Sequence, residues 1–293
     1  MKNNFLKSYH KRALFSNTSL DAVLIGIAWH SYFCMQTGAE LKIIHLMIIG
    51  LSIWLGYMSD RLFDVEKLPV KTKWTHRHLF AKRNRGSLWI LWTLLLVVNI
   101  GISIAYLEAK QLFIGLILTT FVLLYTLCNQ FLFKKQFPKE FFVALLYAYG
   151  VFFLIEPNIT NKELYLFASV CLLNCLLISK KEASIDRLNE MRSIGTYLSD
   201  PVILLILLLF SIIYFLLNPT LNIYLSISLS LLVITVYKER IDTERYRALI
   251  ESIYFSYPVL FLLFKEGIKE PKVKFNIIRL KGICQKIINI FFI

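Results

Sequence analysis

The chain has 293 residues, of which 57% are hydrophobic, with a mean hydropathy of +0.61 and a formal net charge of +14. That apolar content excludes an ordinary soluble domain, whose apolar share is roughly 45–50%. A basic balance of this size would point to nucleic acid in a soluble chain. In a polytopic membrane protein the placement of charge between apolar segments carries the meaning instead, and no nucleic-acid partner is expected.

Residues 1–15 carry the basic flank of a signal peptide, but the apolar run after them has no convincing cleavage site and reads as a retained first helix. A bilayer core of roughly 30 Å needs about 20 mainly apolar residues per helix. Nine segments approach this: 19–37, 41–58, 87–106, 111–132, 140–156, 163–178, 201–217, 220–237 and 248–264. Pro69, Pro138, Pro157, Pro201 and Pro219 punctuate the connections, and Pro258 predicts a kink inside the last segment. The expected fold is an all-α bundle of about nine transmembrane helices over residues 1–264, followed by a basic tail, 265–293.

With the N-terminus in the cytoplasm, 23 Lys and Arg residues fall on the inner connections and only Lys42, Lys110 and Lys162 on the outer ones. This imbalance sets the predicted orientation. The tail holds seven more basic residues, which nine helices would leave on the outer side. It reads as an amphipathic segment lying in the interface. Cys34, Cys128, Cys171, Cys175 and Cys284 sit mostly in apolar runs without zinc-ligand spacing, so they read as packing residues.

Two segments end in carboxylates. Asp60-Arg61-Leu62-Phe63-Asp64 closes the second, and Glu182-Ala183-Ser184-Ile185-Asp186 follows the sixth, with Asp186-Arg187-Leu188 repeating the wording of Asp60-Arg61-Leu62. Each pair is four apart and therefore shares a helix face. Both fall on the predicted cytoplasmic side. Ionisable groups at membrane helix ends are costly unless paired or bound, although pairing with flanking Lys and Arg at the headgroups would also satisfy them. Asp60, Asp64, Glu182 and Asp186 are the candidate metal ligands. Magnesium takes one or two carboxylates and completes its octahedron with water and phosphate oxygens. Arg61, Lys67, Arg77, Lys134, Lys135, Lys181 and Arg187 would then neutralise a diphosphate as charge builds on it.

These motifs resemble the UbiA superfamily of intramembrane prenyltransferases, and the resemblance covers nearly the whole chain, including helix count and motif spacing. It implies that Asp60, Asp64, Glu182 and Asp186 hold Mg2+ and the diphosphate of an isoprenoid donor. It also places Tyr125, with the lysines beyond it, against that diphosphate. The chain departs from the family pattern in three places: Gly56 stands where the family has Asn, Glu182 where it has Asp, and Thr75-His76-Arg77-His78 where it commonly has Arg-Pro. Arg77 and His78 would replace the missing contacts.

The implied activity is Mg-dependent transfer of an isoprenyl group from a polyprenyl diphosphate to a lipophilic acceptor, aromatic or a quinone precursor, at the cytoplasmic face of the bilayer. A terpene cyclase of the same architecture is the alternative. A non-catalytic transporter or scaffold is the second, disfavoured because the charges sit at helix ends and not at mid-membrane. Trp54, Tyr57, Phe63, Tyr147, Tyr149 and Phe153 are candidates to face an allylic cation. His30 and His45 read as helix-to-helix hydrogen-bonding groups, and Asn174 as a wall of the same cavity.

Overall fold

The computed structural model describes residues 16–67, 75–129, 139–155, 161–188, 193–217 and 222–264, except the side chains of Lys67 and Phe264. Of the described residues, 90% are helical and none forms a strand. Among them, nine helices fall on the nine apolar segments: α1 (Leu20–Thr37), α2 (Ile43–Lys67), α4 (Arg85–Tyr106), α5 (Ala109–Leu127), α6 (Lys139–Phe152), α7 (Asn161–Leu188), α8 (Asp200–Leu217), α9 (Ile223–Val236) and α10 (Thr243–Phe264). A short helix that the hydropathy pattern does not predict, α3 (His76–Arg83), lies between α2 and α4. Single 3-10 turns stand at Ile194–Thr196 and Lys238–Arg240. The proposed tail 265–293 lies outside the described residues.

Five helices are long and apolar enough to cross a membrane, over Ile43–Glu66, Arg85–Tyr106, Ala109–Leu127, Asn161–Leu188 and Asp200–Leu217; α9 is apolar but shorter. These helices are compatible with a multi-pass membrane protein. The helices α1, α6 and α10 fall short for identifiable reasons. Asp21, His30 and Gln36 dilute α1, Arg247 and Glu251 dilute α10, and α6 has only 14 residues. Their polar groups are covered by neighbouring helices: α1 packs between α2 and α10, and α6 runs along α7. In contrast α4 buries only Leu88, and α5 only Gln111 and Tyr125. Their remaining surface, including Ile90, Leu94, Val97, Phe113, Leu116 and Phe121, is exposed and apolar, which suits lipid and not water.

Two cores hold the bundle. One gathers α1, α6, α7, α8, α9 and α10 around Trp29, Phe167 and Tyr254. The other joins α1 and α2 to α3 and α4 through Val23, Ile49, Met58, Leu62, Ala81 and Leu88. Both acidic helices outrun their apolar segments, α2 by about nine residues and α7 by about ten. Leu62 and Val65 explain the first extension, because they remain buried one and two turns past the last apolar run.

Helix ends follow local chemistry. Thr75 caps α3 through the His78 amide, Asn222 caps α9 through the Leu225 amide, and Glu108 with Gln111 forms a capping box on α5. Gly38 ends α1 with φ +72, a left-handed conformation that glycine adopts without a Cβ penalty.

Pro258 leaves α10 continuous from Thr243 to Phe264. Proline has no amide hydrogen, so the carbonyl four residues back, Tyr254, loses its helical donor. The buried indole of Trp29 supplies one from α1, at 3.0 Å. Replacing Trp29 with Phe should therefore destabilise the fold by about 1–3 kcal/mol beyond its packing loss. In a Pro258→Ala background, where the amide is restored, this extra cost should largely vanish. Equilibrium unfolding of the four proteins in detergent tests the coupling, and strictly additive effects would refute it.

Candidate functional site

The turn before α1 is pinned to α2 by side chains. Arg61 donates from Nη1 to the carbonyls of Ser16 (2.8 Å) and Asn17 (2.7 Å), and the Trp54 indole donates to the Thr18 carbonyl (2.9 Å). This seats the start of α1 beside the end of α2. There, the starts of α1, α3 and α6 and the middle of α10 meet the ends of α2 and α5 and one face of α7 around a cavity of about 230 Å³.

Asp60, Asp64, Glu182 and Asp186 all line this cavity, so the i,i+4 spacing on α2 and α7 delivers both pairs to one place. Arg61, Arg77 and Tyr125 line it too, as does Asn174. Lys181 and Arg187 do not. Each is one residue from a cavity-facing acid, which turns it about 100° away around the helix. Lys181 donates to the Lys238 carbonyl at 2.7 Å with its ammonium 5.7 Å from the Tyr246 ring centroid, and Arg187 donates to the Thr196 carbonyl at 2.6 Å. Neither side chain is placed to meet a diphosphate in the cavity. Lys134, Lys135 and the side chain of Lys67 lie outside the described residues.

The four carboxylates have different surroundings. Asp60 accepts from the Asn129 amide at 3.4 Å, and Asp186 from the Ser193 hydroxyl at 2.7 Å. Asp64 lies 4.0 Å from the ring of His78. Burial, reinforced by the positive charges of Arg77, Arg61, Arg247 and Lys139, pushes His78 down to about 3. The ring is therefore neutral at physiological pH and its approach to Asp64 is no ion pair; its Nδ1 shares a 2.7 Å hydrogen bond with Thr75. Glu182 is bound by two arginines, Arg77 at 3.4 Å and Arg247 in close contact. Arg247 is 1% exposed and lies also within 3.7 Å of Glu244 and 4.0 Å of Glu251. No described residue stands within 4 Å of a Cβ at Gly56, and the amide that reaches Asp60 comes from the end of α5 instead.

The segment after α7 is anchored by a buried carboxylate. Glu140 Oε1 accepts from the Ser179 hydroxyl and the Ile194 amide, both at 2.9 Å, and Ser179 Oγ accepts the Gly195 amide at 2.9 Å. A Cβ at Gly195 would stand 2.4 Å from the backbone of Ser179 and Lys180, so only glycine allows this approach. The contact holds Ser193 against Asp186.

Asp21, Glu140 and Glu251 also line the cavity and are not singled out by sequence; Lys139, of the basic group after the fourth apolar segment, lines it with them. Their signal is present but weak: single charges at the edges of apolar runs, and the i,i+4 spacing of Arg247 and Glu251. Among the described lining residues, seven carboxylates face three cationic side chains, Arg61, Arg77 and Lys139. Arg247, behind the lining, adds a fourth positive charge through Glu182, and the excess that remains among the described residues suits protons or bound cations. No group of three or more His, Cys, Asp and Glu among the described residues is assembled tightly enough to hold a metal alone. The donor set fits an ion held by one or two carboxylates and completed by water and ligand oxygens.

Below the charged rim the walls turn aromatic. Tyr57 and Tyr147 line the cavity, with Phe167 and Tyr254, which the sequence does not mark. The other aromatic candidates are used elsewhere: Trp54 bonds the α1 turn, Phe63 packs edge-on to Trp89, Tyr149 is 39% exposed, and Phe153 packs against the second core. His30 bonds the Val151 carbonyl at 2.8 Å, joining α1 to α6 away from the cavity. Cys171 and Cys175 contribute to the wall. No protein-family model, no curated protein and no solved structure matches this chain.

Proposed function

We propose that the protein is a magnesium-dependent intramembrane prenyltransferase that moves an isoprenyl group from a polyprenyl diphosphate to a lipophilic acceptor. The single observation carrying this reading is the convergence of Asp60 and Asp64 from α2 with Asp186 from α7 on one carboxylate-rich cavity with an aromatic floor. Asp60, Asp64 and Asp186 would supply the one or two carboxylates that a bound ion needs beside water and diphosphate oxygens, while Glu182 anchors Arg77 and Arg247. Bound magnesium would supply Lewis-acid charge to the diphosphate oxygens. The chain's own part is to hold the donor by Arg77 and Lys139, keep water from the reacting carbon with Tyr57, Tyr147, Phe167 and Tyr254, and offer their faces to developing positive charge. All nine long helices cross the bilayer in this reading, α1, α6 and α10 sheltered by their neighbours. The Lys and Arg imbalance supports a cavity on the cytoplasmic side.

A second reading, cyclisation of the same donor, is favoured by cavity size. About 230 Å³ lies below the roughly 300–1,000 Å³ of common small-molecule sites and suits one substrate better than two. One experiment separates the readings. The protein in lipid nanodiscs is given magnesium and isoprenoid diphosphates of several lengths, with or without membrane lipid extract, and pyrophosphate release is followed beside mass spectrometry of the organic phase. Extract-dependent release with a prenylated lipid is the expected result. Extract-independent release with a cyclic product would make the protein a cyclase, and no release by folded protein would overturn both readings.

A further inference from the structure

A second cavity, of about 310 Å³, lies at the other end of the bundle and is not used by the proposed reaction. Helix α1 starts at the acidic cavity with Asp21 and reaches the second with Tyr32 and Gln36, the last of them about 22 Å further along its axis. Likewise α7 begins at the second cavity with Lys162 and Glu163 and ends at the acidic one.

The walls of this cavity combine three chemistries. Tyr32, Tyr214, Tyr224 and Phe261 supply aromatic surface, Tyr32 standing edge-on to Phe261 with ring centroids 4.8 Å apart, and Tyr214 and Tyr224 lying 5.9 Å apart. Glu163 supplies a carboxylate, oriented by the Tyr224 hydroxyl, which donates to Oε2 at 2.7 Å. A carboxylate has about four lone-pair sites, so this bond leaves it able to accept from a ligand as well. Lys162 supplies an ammonium and donates to the Leu217 carbonyl at 3.4 Å. Lys162 is exposed and Glu163 half-buried, so the positive charge is the outer of the two.

A cation suits the rings and the carboxylate but is repelled by Lys162, and an anion suits Lys162 but meets Glu163. A group carrying both charges, ammonium inward and phosphate outward, satisfies the whole lining. The cavity also continues onto an apolar surface. Leu217, Ile213 and Leu209 are spaced four apart on α8 and are 46%, 44% and 49% exposed, so a lipid-facing stripe runs from the cavity wall along the helix. A soluble headgroup would leave that stripe unused.

We propose that this cavity binds the headgroup of a zwitterionic phospholipid, with its ammonium against Glu163 and the aromatic walls, its phosphate at Lys162 and its acyl chains along α8. The inference does not depend on the chemistry of the acidic cavity.

The full chain in detergent micelles is titrated with phosphatidylethanolamine and with phosphatidylglycerol of the same acyl chains, and binding is read by native mass spectrometry. Wild type should bind phosphatidylethanolamine at least about tenfold more tightly, the scale of one charge-assisted contact. Glu163→Gln keeps an oxygen for the Tyr224 hydroxyl and should erase this preference. Equal binding of the two lipids by wild type, or an undiminished preference in folded Glu163→Gln, overturns the proposal. Soluble phosphoethanolamine that displaces the lipid at equal concentration would make the ligand a soluble compound and overturn the lipid assignment. A phosphatidylethanolamine carrying a diazirine beside its ammonium, photolysed with wild type, locates the site without any variant. Adducts are expected within 32–36, 162–166 or 222–224, and their absence from all three overturns the site.

Discussion

Asp60→Asn and Asp186→Asn should each lower pyrophosphate release by at least about 100-fold, the scale on which a preorganised electrostatic contact to developing charge acts. Both changes keep size and shape. Asn at 60 retains an oxygen for the Asn129 amide, and Asn at 186 retains one for the Ser193 hydroxyl. Each removes the negative charge that a cation requires, so melting temperatures in detergent should stay close to wild type while turnover disappears. Undiminished turnover in either variant would remove that residue from the metal site. Glu182→Gln should behave differently, losing stability along with activity, because Glu182 is the partner of two arginines.

Arg247→Met should destabilise the bundle by about 3–5 kcal/mol, the usual cost of removing one partner from a buried ionic group. Arg247 is 1% exposed and joins α10 to α7 through Glu182, with Glu244 and Glu251 on its own helix. Its loss leaves three carboxylates with fewer compensating charges. Restoring neutrality in Glu182→Gln/Arg247→Met should recover part of the stability, since paired buried charges can be replaced together at small cost. Denaturant unfolding in micelles reads both. A single variant as stable as wild type would mean that the network's role is not structural.

The residues the site depends on divide by how far apart in the chain their partners lie. Asp60 with Asp64, and Glu182 with Asp186, can be read from the sequence because helix periodicity alone sets their common face, and membrane cost alone makes them conspicuous. The same periodicity carries Lys181 and Arg187 off that face, a consequence that proximity in sequence conceals. The nine apolar segments are legible from their length and content. The extensions of α2 and α7, and the existence of α3, are not, because polar helical turns there are held by tertiary contacts such as Leu62 and Val65 in the second core.

What the sequence determined by itself is therefore the class of the chain, its helices and the two acidic faces, all of which depend on local periodicity and on transfer of apolar surface out of water. Only the tertiary structure decided that Glu140 holds the segment after α7, that Arg247 is spent on Glu182, and that Trp29 repairs the carbonyl freed by Pro258. Each of these joins groups on different helices. Their geometry is set by how helices pack, and no spacing along one helix encodes it.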